Sequence, residues 1–114
     1  MQKVKQKIMT EVDVNKIKVG NSNPFTLIAG LNVLESEKVI EQVISRCLEV
    51  TQKLKIPYVF KASYDKANRS SIDSYRGPGL DEGLTILSDL KRDFKVPIIS
   101  DIHSVEEVSK ASEV

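Results

Sequence analysis

The sequence predicts an α/β fold in which parallel strands alternate with helices. Three apolar runs of strand length, at residues 25–30, 58–63 and 96–102, are each followed by a segment whose apolar residues recur at helical spacing. The first run is almost continuously apolar, as is typical of a strand covered on both faces. Because right-handed βαβ units join such strands into one sheet, this order of elements indicates a parallel sheet flanked by helices.

A small β-hairpin is predicted before the alternating units, at about residues 11–20. Apolar and polar residues alternate in two short runs, and Asn15-Lys16 joins them. The apolar members of these runs are Val12, Val14, Ile17 and Val19. A turn-forming stretch, Gly20–Pro24, then separates the hairpin from the first strand of the sheet.

Three helices are expected after the strands. Ser36 is the predicted N-cap of the first helix, Pro57 marks its end, and we assign Cys47 on its apolar stripe to the core. The second helix carries one apolar face, made of Leu80, Leu84, Leu87, Leu90 and Phe94. The third opens at Ser104-Val105-Glu106-Glu107, which has the spacing of a capping box, and continues through Val105, Val108 and Ala111.

The chain of 114 residues has room for one small domain. A closed barrel of eight βα units typically takes about 250 residues, and no Gly, Asn or Pro ends the third helix before Val114. We therefore interpret residues 1–114 as a single partial domain, with the hairpin at about 11–20 and three βα units at about 25–114. Such a piece would expose a sheet edge and part of an unfinished core.

Charge and cysteine content exclude several classes of protein. The 17 Lys+Arg and 16 Asp+Glu residues leave a net charge of +1, which argues against a nucleic-acid-binding arm. One cysteine and one histidine rule out a disulfide framework and a structural zinc site built from this chain alone. The N-terminus lacks the apolar core of a signal peptide, and no apolar run is long enough to span a bilayer. We expect a cytoplasmic protein with no membrane partner.

Polar residues follow each apolar run, where ligands bind in folds with parallel sheets. Asn32 follows the first run, Lys61 and Ser63 end the second, and Asp101 and His103 end the third. Because side chains alternate along a strand, Lys61 and Ser63 share one face of their strand, and Asp101 and His103 share one face of theirs. Three strands are thus predicted to bring polar groups to one rim.

The loop after the second strand is rich in cations, which favours a small ligand with phosphate or carboxylate groups. Residues 61–79 contain Lys61, Lys66, Arg69 and Arg76 but only two acidic side chains, Asp65 and Asp73. A solvated surface is the ordinary alternative, and a loop-structuring role is at least as plausible for Arg76. For Lys61 we favour function, since a lysine ending a buried strand needs an anion. His103 could instead be structural, and Asn32 could be a turn residue.

The stretch Tyr58–Leu80, which contains Lys61-Ala62-Ser63, Lys66-Ala67-Asn68-Arg69-Ser70-Ser71 and Arg76-Gly77-Pro78-Gly79, resembles 3-deoxy-D-manno-octulosonate 8-phosphate synthases, also called 2-dehydro-3-deoxyphosphooctonate aldolases. Asn32–Ser36 and Asp101–His103 match the same family in the same order. Related synthases of the seven-carbon shikimate precursor carry a K-P-R-T-S type element instead. The resemblance implies the first part of a (β/α)8 barrel, or TIM barrel, from an enzyme of lipopolysaccharide biosynthesis.

The resemblance also implies a reaction and roles for individual residues. The family condenses phosphoenolpyruvate with arabinose 5-phosphate and water, and releases phosphate. By position, Lys61, Ser63 and Lys66 would contact phosphoenolpyruvate, with Lys66 close to the reacting atoms. The sugar phosphate would be held by Asn68, Arg69 and Ser70, the last two reaching a neighbouring subunit's site in a homo-oligomer, a tetramer in intact members. Asp101 and His103 would lie near the forming bond, and Asn32 completes the predicted catalytic set.

Asn32 also predicts that no metal or other cofactor is needed. Metal-dependent members of the family have Cys at this position, and an amide is a poor replacement for a thiolate ligand. We expect the 114 residues alone to bind substrates weakly and to be inactive. The alternative is a non-catalytic anion-binding or subunit-pairing half-barrel. RNA binding ranks last, because three Tyr, three Phe and no Trp offer little surface for base stacking.

Overall fold

The protein has a β-hairpin, a three-stranded parallel sheet and three helices in a computed structural model that describes residues 10–68 and 70–114. The hairpin consists of β1 (Glu11–Val14) and β2 (Ile17–Gly20). The parallel sheet has the order β3 (Leu27–Val33), β4 (Tyr58–Ser63) and β5 (Ile98–Ile99). The helices are α1 (Glu37–Leu54), α2 (Leu80–Phe94) and α3 (Glu107–Ala111). No helix within the described ranges combines the length and the apolar character that a bilayer crossing requires.

The α/β class and the alternation of strands and helices are confirmed. Strand β4 pairs with β3 on one side and β5 on the other, and both pairings are parallel. The hairpin is confirmed as well, with Val14 opposite Ile17 and with Asn15 in the left-handed region at φ 54°. This arrangement is compatible with part of a TIM barrel, and the truncated barrel stays a prediction.

The core lies between one face of the parallel sheet and helices α1 and α2. Strand β4 contributes Tyr58, Phe60 and Ala62 to it, and all three are buried. The helices contribute a stripe of apolar residues, namely Ile40, Ile44, Leu84, Leu87 and Leu90. Cys47 packs against this cluster and is partly buried, which agrees with its predicted place in the core.

The opposite face of the sheet is uncovered at its two outer strands. Ile28 of β3 and Ile99 of β5 are 52% and 46% exposed. Ile99 lies opposite Lys61 in the register, so the two residues share this face with Ser63, which follows Lys61 by two positions. The sheet thus turns an apolar face towards the helices, and its open face carries Lys61 and Ser63 beside exposed apolar residues.

A bulge in β3 changes the pairing near the end of the sheet. Gly30 lies opposite Lys61, but the register then shifts, and Val33 instead of Asn32 lies opposite Ser63. A Cβ atom on Gly30 would lie 2.1 Å from the Lys61 carbonyl oxygen, so only glycine permits this close approach. The backbone of β3 is therefore adapted to that of β4 next to the polar residues.

Two predicted elements are shorter in the structure. The strand expected over 96–102 is reduced to Ile98–Ile99, because only Phe60 and Lys61 of β4 pair with it. The third helix begins at Glu107 instead of Val105, has five residues and buries none of them. The capping box predicted at Ser104 is wrong, since Glu106 takes the N-cap position of α3 and no side-chain hydrogen bond caps the helix. The Ser36 cap is present, and its hydroxyl accepts from the Val39 N–H at 3.4 Å.

Candidate functional site

Four polar side chains form a connected group at the carboxyl end of β4 and in the loop after β5, and we call Lys61, Ser63, Asp101 and His103 the polar cluster. The Lys61 ammonium donates to the Ser63 hydroxyl at 3.0 Å and lies 3.5 Å from the Asp101 carboxylate. The Ser63 hydroxyl donates to the same carboxylate oxygen at 2.5 Å. The second oxygen of Asp101 lies 3.4 Å from His103 Nε2. Asp101 is thus the acceptor that joins the cluster.

The polar cluster is partly buried, with Ser63 inside the protein and the charged side chains in contact with solvent. Ser63 is fully buried, whereas the Lys61 and Asp101 side chains are 33% and 39% exposed. Burial alone would raise the pKa of Asp101, but the Ser63 hydrogen bond, a backbone hydrogen bond and the charge of Lys61 together hold that pKa below its usual value. Asp101 is therefore an ionised carboxylate at neutral pH, and it balances the lysine ammonium.

The strand end and the loop after it explain how these side chains meet. Lys61 and Ser63 alternate along β4, so both lie on its open face, as the sequence predicts. Asp101 and His103 lie in the loop after β5. The prediction that they share one face of a strand is therefore wrong, because the strand ends at Ile99. Hydrogen bonds to Ser63 and Lys61, instead of strand pairing, hold Asp101 beside β4.

A second group of contacts supports the ring of His103. The Tyr64 hydroxyl donates to the Glu107 carboxylate at 2.6 Å, and the backbone N–H of His103 donates to the same oxygen at 2.9 Å. The rings of Tyr64 and His103 meet edge to face, with centroids 5.5 Å apart. Tyr64 and Glu107 are not among the residues predicted for the site. The only signal was Glu107 in the predicted capping box, where a carboxylate reaches back to a backbone N–H.

The loop between β4 and α2, residues 64–79, is the cation-rich loop of the sequence, and we call it the basic loop. Hydrogen bonds join its two ends. The Arg76 guanidinium donates two hydrogen bonds of 3.0 Å to the Asp65 carboxylate, and the Lys66 N–H donates to the Arg76 carbonyl at 2.6 Å. Gly77 adopts φ 109°, and a Cβ atom there would lie 2.6 Å from the Tyr64 carbonyl oxygen. Arg76 thus has the loop-structuring role that we weighed for it.

The other predicted site residues lie outside the polar cluster. Asn32 is exposed in the bulge of β3, at the same end of the sheet as Ser63. Lys66 is partly buried at the base of the basic loop, and Asn68 and Ser70 are exposed farther along it. Arg69 lies outside the described residues. The structure therefore brings four of the predicted residues into contact and places Asn32 near them in the sheet.

A groove of about 400 Å³ lies between α1 and α2 and shares no residue with the polar cluster. Ile40 and Phe94 are among its apolar lining residues, and six carboxylates line it: Glu35, Glu37, Glu41, Glu82, Asp89 and Asp93. Such a lining repels phosphorylated molecules. The polar cluster, with its lysine and adjoining basic loop, is the better candidate for an anion site.

The model of the DAHP synthetase I family matches residues 3–114 of this sequence. The chain belongs to the DAHP synthetase I family. Curated relatives are named 2-dehydro-3-deoxyphosphooctonate aldolase. That of Hahella chejuensis is 57% identical over 103 residues, which are 90% of this chain and 37% of the relative. Those of Colwellia psychrerythraea and Bdellovibrio bacteriovorus are 56% and 54% identical over the same share of this chain, and the chain spans 37% and 36% of their lengths.

In this member of the DAHP synthetase I family, the polar cluster contains groups of the kinds that bind anions and that donate or accept protons. Lys61 supplies a positive charge, and Ser63 supplies a hydroxyl that can donate or accept a hydrogen bond. Asp101 and His103 lie within reach of each other, so the carboxylate can orient the imidazole. The cluster thus combines an ammonium group at one end with a carboxylate and an imidazole at the other.

Proposed function

We propose that this chain carries the first part of the active site of a 2-dehydro-3-deoxyphosphooctonate aldolase. The observation that carries the proposal is the polar cluster, in which Lys61, Ser63, Asp101 and His103 meet at the carboxyl ends of β4 and β5. Active sites of barrel enzymes lie at that end of the strands. Curated relatives of that name are 50–57% identical to this chain over 90% of its length, which supports the same assignment.

The reaction joins phosphoenolpyruvate to arabinose 5-phosphate. The third carbon of phosphoenolpyruvate attacks the aldehyde carbon of the sugar, and a carbon–carbon bond forms. Water adds at the second carbon, and cleavage of the carbon–oxygen bond expels inorganic phosphate. Negative charge is present on both substrates and on the leaving group, so cationic side chains fixed in place lower the barrier.

We assign the phosphoenolpyruvate end of this site to Lys61, Ser63 and Lys66. The Lys61 ammonium is already oriented by Ser63 and Asp101, and an arriving carboxylate or phosphate would compete with Asp101 for it. Lys66 follows at the base of the basic loop, where its backbone is hydrogen-bonded to Arg76. These cations lie on the strand end and the loop next to it, as an elongated anionic substrate requires.

The sugar end of the site falls to Asn68, Arg69 and Ser70. Asn68 and Ser70 are exposed on the basic loop, where a substrate or a neighbouring subunit can reach them. The roles of Arg69 and Ser70 across a subunit boundary belong to the proposal of a homo-oligomer. Asp101 and His103 take the position nearest the forming bond, where the imidazole can exchange a proton with the sugar oxygen.

We propose that the reaction needs no metal or other cofactor, because Asn32 stands where metal-dependent relatives have Cys. Asn32 is exposed in the β3 bulge, so its amide is available to hydrogen-bond a substrate. A cytoplasmic location follows from the proposed substrates, which are phosphorylated metabolites.

Complementation tests the proposal, because the chain spans only 36–37% of its relatives. The chain is co-expressed with the remaining part of the Hahella chejuensis relative, and phosphate release from the two substrates is measured. We expect release from the combined parts and none from the 114 residues alone. Lys66→Met should abolish release in the combined parts without impairing their assembly, whereas Lys38→Met on the exposed surface of α1 should not.

Combined parts that assemble but release no phosphate would contradict the proposed function. Near-normal release with Lys66→Met would contradict the role of that lysine. Phosphate release by the 114 residues alone would contradict the expectation that the chain is inactive by itself.

The second candidate function is a non-catalytic half-barrel that pairs through its uncovered face. The exposed residues Ile28 and Ile99 on that face favour it. Sedimentation of the purified chain, alone and with the remaining part of the relative, separates the two candidates. Self-association combined with a lack of phosphate release in the complemented sample would favour the pairing module.

A further inference from the structure

The carboxylate of Glu107 connects the end of β4 to the loop after β5. One of its oxygens accepts hydrogen bonds from the Tyr64 hydroxyl at 2.6 Å and from the His103 backbone N–H at 2.9 Å. Tyr64 follows Ser63 directly, and His103 contacts Asp101. Glu107 therefore joins, from outside the polar cluster, the two segments that form it.

Tyr64 is a rigid anchor for this connection. Tyr64 is fully buried. A Cβ atom added to Gly83 of α2 would lie only 2.2 Å from the Cβ of Tyr64, so the helix and the tyrosine are in close contact. Burial and the bond to Glu107 both raise the pKa of the Tyr64 hydroxyl, which keeps it a donor. The same bond, followed by that from the His103 N–H, lowers the pKa of Glu107, which keeps it an ionised acceptor.

The tyrosine also limits the orientation of the histidine ring. The two rings meet at an interplanar angle of 81°, and the His103 side chain is 23% exposed. With its backbone N–H fixed by Glu107 and its ring against Tyr64, His103 places Nε2 3.4 Å from Asp101. Strand β5 contributes little to this placement, since only Ile98 and Ile99 pair with β4.

We propose that Glu107 is a positioning residue, which holds the imidazole of His103 against Tyr64 and beside Asp101 through its two hydrogen bonds. The inference rests on the proposed function for the reaction that the imidazole serves. Glu107 itself contacts no substrate. Loss of its carboxylate should release His103 while the fold and Lys61 remain in place.

The single histidine of this chain makes the proposal testable by NMR spectroscopy. Nuclear Overhauser effects between the Tyr64 and His103 rings report the position of the imidazole, and the amide exchange rate of His103 reports its hydrogen bond. Glu107→Gln, Glu107→Ala and Tyr64→Phe remove the charge, the whole acceptor and the hydroxyl donor. Glu106→Gln, an exposed neighbouring carboxylate, is the matched control.

We expect Glu107→Ala to abolish the effects between the two rings and to speed the amide exchange of His103 about tenfold, as loss of a hydrogen bond to a charged group does. Glu107→Gln should have a smaller effect in the same direction, and Glu106→Gln none. Tyr64→Phe keeps the ring and removes only the hydroxyl donor. It should therefore weaken the ring contact and speed the amide exchange of His103 if the hydrogen bond to Glu107 holds the histidine in place. If Glu107→Ala does not fold, the other two variants decide. Unchanged ring contacts and amide exchange in the variants that fold would overturn the proposal.

A kinetic measurement on the complemented parts separates positioning from general stability. Glu107→Gln should lower kcat about tenfold and change KM less than twofold, because the substrate-binding cations remain while the imidazole is displaced. A tenfold loss of kcat/KM that comes from a raised KM, with kcat unchanged, would overturn the proposal. If the combined parts release no phosphate with the unmodified chain, the proposed function fails, and the NMR result decides on Glu107 by itself.

Discussion

Replacing Gly83 by alanine tests how tightly helix α2 packs against the end of β4. The added Cβ would lie 2.2 Å from Tyr64 Cβ and 3.3 Å from its Cα and Cγ, whereas ordinary contacts of a Cβ begin at 3.4 Å. Forcing a contact this short costs about 2–3 kcal/mol, the upper part of the range for overpacking. Alanine regains about 1 kcal/mol of helix propensity. We expect a net loss of about 1–2 kcal/mol in the free energy of unfolding.

Thermal and urea unfolding of the purified chain measure this loss. For a domain of this size, it corresponds to a fall in Tm of about 4–8 °C. Ser88→Ala, at an exposed position of the same helix, is the control and should change Tm by less than about 2 °C. A Gly83→Ala chain as stable as the parent would refute the reasoning, since helix propensity would then outweigh the contact with Tyr64.

Three further predictions concern charge, the basic loop and metal. Glu107 and Asp101 have lowered pKa values in the folded chain, so the stability they contribute is present above the usual carboxyl range, near pH 4, and is lost as the pH falls through their folded-state values. Acid unfolding followed by circular dichroism should therefore show a decline that Glu107→Gln reduces. Arg76→Lys removes the two-bond fork to Asp65, so chymotrypsin should cleave the loop at Tyr75 several times faster. In the chain combined with the remaining part of its relative, chelator should leave phosphate release unchanged, as the proposed metal-independent reaction with Asn32 requires.

Each of these predictions has a result that contradicts it. An acid transition identical in the parent and Glu107→Gln would show that Glu107 does not contribute to it. Equal cleavage of Arg76→Lys and of the control Arg92→Lys on α2 would show that the fork does not restrain the loop. Loss of activity with chelator, restored by added metal, would contradict the role of Asn32.

The sequence predicts most of the fold because its helices and central strand have strong local signals. Ser36 caps α1 as expected, and the apolar stripe of α2 forms part of the core. The predicted strand at 96–102 fails beyond Ile99, because a run of apolar residues does not reveal whether a partner strand continues beside it. The third helix begins later than predicted, because Glu106 and not Ser104 takes its N-cap position, with no side-chain hydrogen bond to cap it.

The polar cluster was predictable in part. Alternation along β4 places Lys61 and Ser63 on one face, and the parallel order of strands brings Asp101 to the same end of the sheet. The bulge at Gly30 was not predictable, because it depends on a backbone approach that only the assembled sheet shows. Tyr64 and Glu107 are 43 residues apart, and no local pattern relates residues at that separation.

Because β5 has only two residues, the segment that follows it is weakly attached to the sheet. Only two residue pairs tie β5 to β4, so side chains of the polar cluster and of Glu107 carry much of the attachment of the segment around Asp101. That segment can detach in a partial opening of low free energy, while the core between the sheet and α1 stays closed. A chain in this state would pass as folded by circular dichroism and yet lack the contact between Asp101 and His103, so a measure of folding alone would overstate the fraction of molecules with an assembled polar cluster.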